Sequence, residues 1–324
     1  MKMENKNTDV IEGVHESVDE LIIRLCLKVK GIGKATAGGI ASDFNGDLQT
    51  FLSADMLRFS QIHTSNGKQL LNETIINDLI LEKEAIPHDL SVQETWVFYL
   101  GRQFLKSQVS MVLSLNFHDF DINPLLAKAL NLNSPRKVIA FNVYQTITRS
   151  VVTSWGDTVE LIAKFVGCRN NDYIIEGKTG TNFDLVKGIG GVDYYIQIKS
   201  GPNTMNVGMV TSLNEAILKL ESGKKNSKGI LGMTYGTRNR ISNQILGNLK
   251  DADDRMKVGR ELWDFISEKP NFHKDLFRLL DNSSIGLLDK SFIELIESKI
   301  TEFEEYWENN FKGLSLDEVL EKYI

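Results

Sequence analysis

The sequence predicts an α+β fold, with a mixed central β-sheet flanked by helices and a helical domain before it. Three observations predict this. First, residues 182–199 (NFDLVKGIGGVDYYIQIK) hold two strand-like runs around a glycine-rich turn. Second, long stretches on either side carry apolar residues at helical spacing. Third, 42% hydrophobic and 25% charged residues in a chain of 324 describe an ordinary soluble globular protein with room for more than one domain.

The first ten residues, MKMENKNTDV, are polar and do not read as a signal peptide. Val18, Leu21, Ile22, Leu25 and Val29 then repeat at helical spacing over 14–29. Gly31-Ile32-Gly33 breaks that helix, and Lys34–Phe44 starts another. Val29, Gly31, Ile32, Gly33, Thr36, Ala37 and Ile40 together resemble a helix-hairpin-helix. Glycines allow its tight turn, and free N–H groups at the second helix start would receive a phosphate oxygen. Lys34 adds positive charge there, where the helix dipole already favours an anion. The resemblance implies DNA contact by Gly31, Gly33, Lys34 and Thr36. The same residues also fit two helices packed around a glycine C-cap. FLSAD (51–55) resembles a helix opening that follows such hairpins, with a second, degenerate hairpin near Asn66-Gly67. A further helical stretch fills 68–86, and Ile86-Pro87-His88 marks a boundary. The expected division is therefore a helical DNA-binding domain over 1–88 and a catalytic domain over 89–324.

Charge distribution refines the net value of −6. Residues 21–42 carry four basic residues and no acid, and residues 199–240 carry seven against two acids. Residues 281–324 carry eleven acids against four lysines. Local basic patches meet phosphates regardless of the sum. No apolar run is long enough to span a membrane. Cys26 and Cys168 lie in apolar surroundings and read as buried free thiols of a cytoplasmic protein.

Ser91–Leu115 is apolar-periodic and helical. Asp119, Asp121 and Asn123 lack the glycine and terminal glutamate of a calcium loop, so Asn123 reads as an N-cap before Pro124. Phe141–Arg149 is buried, helical or extended, and Ser154–Val166 is an amphipathic helix carrying Glu160. Glu160 also reads as a surface residue beside Asp157 and Lys164.

The hairpin concentrates the chemistry. Residues two apart on a strand share a face, so Gln197 and Lys199 look the same way. Pairing brings Asp184 from the preceding strand beside them. A carboxylate that holds Mg²⁺ and a lysine that orients a water suit phosphodiester hydrolysis. FD-x12-QIKSGPN (183–203) resembles the core of the PD-(D/E)XK nuclease superfamily. Gln197 stands where that pattern has an acid, and its carbonyl brings an oxygen ligand without charge. The resemblance implies that Asp184, Gln197 and Glu160 ligate Mg²⁺ and that Lys199 is catalytic; Glu160, on the preceding helix, would replace the missing charge. Residues 101–204, with INPLLAKALNL, RSVVTSWG, GTNFDLV and QIKSGPNT, are similar to type II restriction endonucleases that cut interrupted GC-rich palindromes such as GGNCC or CCNGG. That implies Mg²⁺-dependent cleavage of double-stranded DNA by a homodimer. No glycine loop fits a nucleotide cofactor: position 28 is Lys, position 172 is Asp, and no helix follows Gly188–Gly191.

Beyond the hairpin, Met209–Leu220 reads as a helix, Gly223–Lys228 as a basic turn and Gly229–Tyr235 as a strand. Arg238, Asn239 and Arg240 can address base edges or phosphates. Ser200 and Asn203 are assigned to DNA contact with them. Residues 256–280 read as two helices split by Pro270. The acidic tail from Lys290 is a helix expected away from DNA, on the core or at a dimer interface. The expected function is a sequence-specific DNA endonuclease. A structure-selective repair or recombination nuclease and a non-catalytic DNA-binding protein with a degenerate nuclease fold are the alternatives.

Overall fold

The structure, a computed structural model, describes residues 10–168, 173–175 and 183–324. Asn182, at the head of the expected first hairpin strand, lies outside the described residues. In chain order the elements are β1 (Val10–Glu12), α1 (Gly13–Cys26), α2 (Lys34–Phe44), α3 (Leu48–Ser53), α4 (Met56–Ser60) and α5 (Glu73–Glu84). There follow α6 (Val92–Ser114), α7 (Pro124–Ala129), α8 (Pro135–Gly167), β2 (Tyr173–Ile175), β3 (Leu185–Ile189) and β4 (Val192–Lys199). Next come α9 (Val207–Gly223), β5 (Ser227–Met233), α10 (Asn243–Leu246), α11 (Ala252–Arg255) and β6 (Met256–Val258). The chain ends with α12 (Arg260–Ser267), α13 (Phe272–Ser284), α14 (Phe292–Asn310) and α15 (Leu316–Leu320).

Two compact units form, one from Met1–Leu100 with Val159–Leu280, the other from Gly101–Thr158 with Asp281–Ile324. Residues 1–88, expected as a separate helical domain, fall in the first unit with the sheet. The pairing of β1 with β2 supplies the reason, because the N-terminal segment provides an edge strand.

The sheet of the first unit runs β1-β2-β3-β4-β5-β6. Its first four strands pair antiparallel, and β4, β5 and β6 run parallel. This is the mixed sheet of an α+β nuclease core. One face carries Val186, Tyr195, Leu231 and Met233 against Val210, Leu213 and Ile217 of α9. Each such fully buried aliphatic side chain contributes roughly 1.5–3 kcal/mol. On the other face Gly232 leaves room for α12, since a Cβ there would lie 2.7 Å from Leu262. Lys187 is fully buried on β3; its ammonium meets Glu268 at 2.7 Å and donates to the Gly167 carbonyl at 3.2 Å. That pair ties the ends of α8 and α12 to the hairpin. Trp96 stacks on Phe165 of α8 at 3.5 Å between ring centroids. Cys26 and Cys168 are buried free thiols, and burial pushes Cys26 up to about 12.

The second unit buries Val138, Val143 and Ile147 of α8 against Ile296, Ile300, Phe303 and Trp307 of α14. The acidic tail therefore packs its apolar stripe on a core, as its spacing predicts. Asn123 caps α7 by accepting from the Leu126 N–H at 2.9 Å, with Pro124 in the first turn.

Four local expectations change. Phe141–Arg149 and Ser154–Val166 belong to one 33-residue helix, α8. Gly156 sits inside it at a cost of about 1 kcal/mol relative to alanine. Met256–Val258 is a strand, because it pairs in parallel with Leu231–Met233 of β5, a tertiary partner that the local pattern does not announce. The hairpin turn is two residues, Gly190-Gly191, both at positive φ (61° and 79°). Glycine meets that demand without strain. Finally, Phe51–Ser53 closes α3, and Asp55 caps α4. Asn66-Gly67 lies in a turn closed by a bridge between His63 and Gln69, not in a second helical hairpin.

Candidate active site

Two elements build the site, the β3–β4 hairpin and the last turns of α8. Asp184 precedes β3. Its N–H donates to the Ile196 carbonyl at 2.8 Å, and its Oδ2 accepts from the Ile198 N–H at 2.8 Å. The carboxylate is thus fixed by the neighbouring strand's backbone. Leu185 pairs with Ile196, so one step further along the ladder sets Asp184 opposite Gln197. Lys199 ends β4 on the same strand face as Gln197.

Glu160 comes from α8. Its Oε1 accepts from the Ser200 N–H at 3.1 Å, which places the carboxylate at the C-terminal end of β4. Burial pushes the Glu160 carboxyl above the usual glutamate range. The positive charge of Lys199 opposes that push, and the negative charge of Asp184 adds to it. Lys164 and the Ser200 N–H also favour the ionised form. The structure therefore gathers Glu160, Asp184 and Lys199 within electrostatic reach of one another. Lys164 joins them, its Nζ 3.3 Å from Asp184 Oδ1.

Gln197 Oε1 is buried and, among the described residues, accepts no hydrogen bond. A buried carbonyl oxygen without a donor carries an unmet desolvation cost, and a cation would meet it. Among the described residues no group of three His, Cys, Asp or Glu could hold a metal ion. The available donors are two carboxylates and one amide oxygen. Mg²⁺ commonly takes one or two protein carboxylates and fills its remaining positions with water and substrate phosphate. The donor set fits that hard, oxygen-seeking ion.

The surroundings keep the strand ends in place. Thr234 donates its N–H to the Lys199 carbonyl at 2.9 Å and its Oγ1 proton to the Ser200 carbonyl at 2.7 Å. Trp263 Nε1 donates to the Thr234 carbonyl at 2.7 Å. Tyr235 lies over Gly201, where a Cβ would come within 2.4 Å of the ring, and remains 55% exposed. Asn203 is exposed just beyond.

The remaining candidates form two other groups. Arg238, Asn239 and Arg240 make a 3-10 turn after β5. Arg238 is occupied by Glu261 at 3.3 Å and by the Met256 carbonyl at 2.7 Å. Asn239 accepts from the Thr237 hydroxyl, and Arg240 is exposed. At the α1–α2 turn, Gly31 has φ 97°, and Gly33 is an extended N-cap without a side-chain cap. Lys34 is exposed at the first position of α2, and Thr36 is half-buried.

Sequence reasoning missed the place of Lys164. Its signal was the four-residue spacing from Glu160, which points to a helical pair with Glu160 and not to the hairpin opposite. No helix among the described residues is long and apolar enough to cross a membrane.

Residues 102–285, more than half of the chain, match the family model described as Type II restriction endonuclease EcoO109I. No curated protein matches the chain.

Proposed function

The chain belongs to the family of the type II restriction endonuclease EcoO109I, and from that premise we propose that it cuts double-stranded DNA at an interrupted GC-rich palindrome of the GGNCC type, with Mg²⁺, as a homodimer. A site-specific deoxyribonuclease of this family binds DNA. The single observation that carries the site assignment is the convergence of Glu160, Asp184 and Lys199 at the end of β4. Asp184, Glu160 and the Gln197 amide oxygen would hold the cation. Bound there, a divalent ion polarises the scissile phosphate and lowers the pKa of a water.

The chain's own groups do the rest. Lys199 orients the attacking water and offsets negative charge that develops on the phosphate. Glu160 supplies the charge that Gln197 lacks. The Ile198 and Ser200 N–H groups hold the two carboxylates in position before substrate arrives, which avoids reorganisation during the reaction. Ser200 and Asn203 flank the site and are assigned to DNA contact, with Arg240 and Asn239 beyond β5. Arg238 anchors that turn through Glu261, so its contribution to DNA contact goes through the placement of Arg240.

Residues 1–88 are proposed as the second DNA-binding element. The uncapped start of α2, with Lys34 exposed, supports phosphate binding there. Homodimerisation follows from the two-fold symmetry of a palindromic site, which gives each strand one active site.

Digestion of plasmids of diverse sequence with Mg²⁺ tests the reading. Discrete fragments whose mapped ends share one interrupted GC-rich palindrome are expected. Cutting that follows branches or lesions would instead favour a structure-selective nuclease.

A further inference from the structure

Lys164 carries an inference that rests on the cation site assigned above. It lies on α8 one turn after Glu160, yet its ammonium reaches across to Asp184 Oδ1 at 3.3 Å. The two side chains are 19% and 25% exposed, so water screens the pair only partly. The other oxygen of Asp184 accepts from the Ile198 N–H. Both oxygens of the central carboxylate are therefore engaged. The charges around the site also balance. Glu160 and Asp184 bring two negative charges, Lys164 and Lys199 two positive ones, and Gln197 none. An ammonium and a divalent cation on one carboxylate oxygen repel each other strongly at contact distance.

We propose that Lys164 is an internal counter-cation for Asp184, which holds the carboxylate ready in the cation-free protein and has to leave Oδ1 when a divalent cation binds. It is a positioning residue, acting through Asp184. The competition keeps cation affinity low in the absence of DNA. A DNA phosphate at the site gives the released ammonium a new anionic partner. Cation and DNA then strengthen each other's binding by the same factor.

Mn²⁺ binding to the whole protein without DNA, read from the free-ion electron paramagnetic resonance signal, tests the proposal. Asp184→Asn identifies the relevant site. Lys164→Met should bind the Asp184-dependent Mn²⁺ roughly five- to tenfold more tightly than wild type, within the usual range of coupling between sites. Lys164→Arg, which keeps the charge, should bind as weakly as wild type. A folded Lys164→Met protein that binds Mn²⁺ no more tightly overturns the role of Lys164 and leaves the cation site standing. No Asp184-dependent binding in either wild type or a folded Lys164→Met protein overturns both.

Should Lys164→Met fail to fold, side-chain amine NMR of the wild type decides. The Lys164 signal, identified by its loss in Lys164→Arg, should shift on adding Mg²⁺. An unmoved signal at saturating Mg²⁺ overturns the proposal.

Discussion

The Ser200 N–H donates to Glu160 Oε1 at 3.1 Å, and this bond joins the end of β4 to α8. It puts a helix-borne acid beside a strand-borne lysine, where the strand itself offers only an amide at position 197. Glu160→Ala should lower the DNA cleavage rate by roughly 10²–10⁴-fold, the range for loss of one positioned catalytic group. Glu160→Gln keeps an acceptor for the Ser200 N–H, so it should fold normally and be nearly as inactive. Initial rates of plasmid linearisation measure both. Rates within a few-fold of wild type would remove Glu160 from the machinery.

Glu160 also carries a stability signature. Burial raises its native pKa above the ordinary value of 4.5. The native state then binds a proton more tightly than the unfolded chain, so ionising Glu160 costs stability. That cost is absent below about pH 4.5, grows as pH rises through the raised native value, and is complete above it. Glu160→Gln should therefore match or exceed wild-type stability at neutral pH. Its advantage should shrink as pH falls toward 4.5. Urea denaturation of both proteins across that window reads the difference, in which the other titrating groups cancel. A variant that loses stability at neutral pH would mean that the Ser200 bond needs the charge.

Gln197→Glu asks whether the neutral amide is a defect. The buried Oε1, without a hydrogen-bond donor among the described residues, reads as a ligand oxygen already in place. Little or no gain in cleavage rate is expected from an already active wild type. Cutting that first appears in the variant would identify the natural chain as a degenerate nuclease.

Lys34 tests the N-terminal element apart from the chemistry. It is exposed at the start of α2, beside an N-cap that offers no side chain. Lys34→Ala should weaken DNA binding about equally for all sequences and reduce the salt slope by about one. Fluorescence anisotropy over a salt series with Ca²⁺ in place of Mg²⁺ measures this. An unchanged slope would leave the α1–α2 turn as a packing unit.

Much of this was legible because it depends on local periods. The spacing of Val18, Leu21, Ile22 and Leu25 gives α1, and all four are buried. The Asn123-Pro124 pair marks α7, and the twin runs around Gly190-Gly191 mark the hairpin. The placement of Asp184 opposite Gln197, with Lys199 on the same face, was legible because strand alternation and hairpin pairing act over a few residues. What escaped depends on tertiary partners. Met256–Val258 is too short for its pattern to stand out, and only the exposed edge of β5 makes it a strand. Lys164 has two acids within reach, and sequence spacing names only the one on its own helix. The pairing of Val10–Glu12 with Tyr173–Ile175 spans more than 160 positions, beyond any local signal.

The central claim is that Asp184 and Lys199 act on one scissile phosphate. The most direct measurement pairs cleavage with binding: plasmid digestion and gel-shift affinity for the mapped site, on wild type, Asp184→Ala and Lys199→Ala. Both variants should lose at least about 10²-fold in cleavage rate, while each still shifts the cognate duplex within about tenfold of wild-type affinity. Either variant cutting at the wild-type rate with its fold intact would contradict the account.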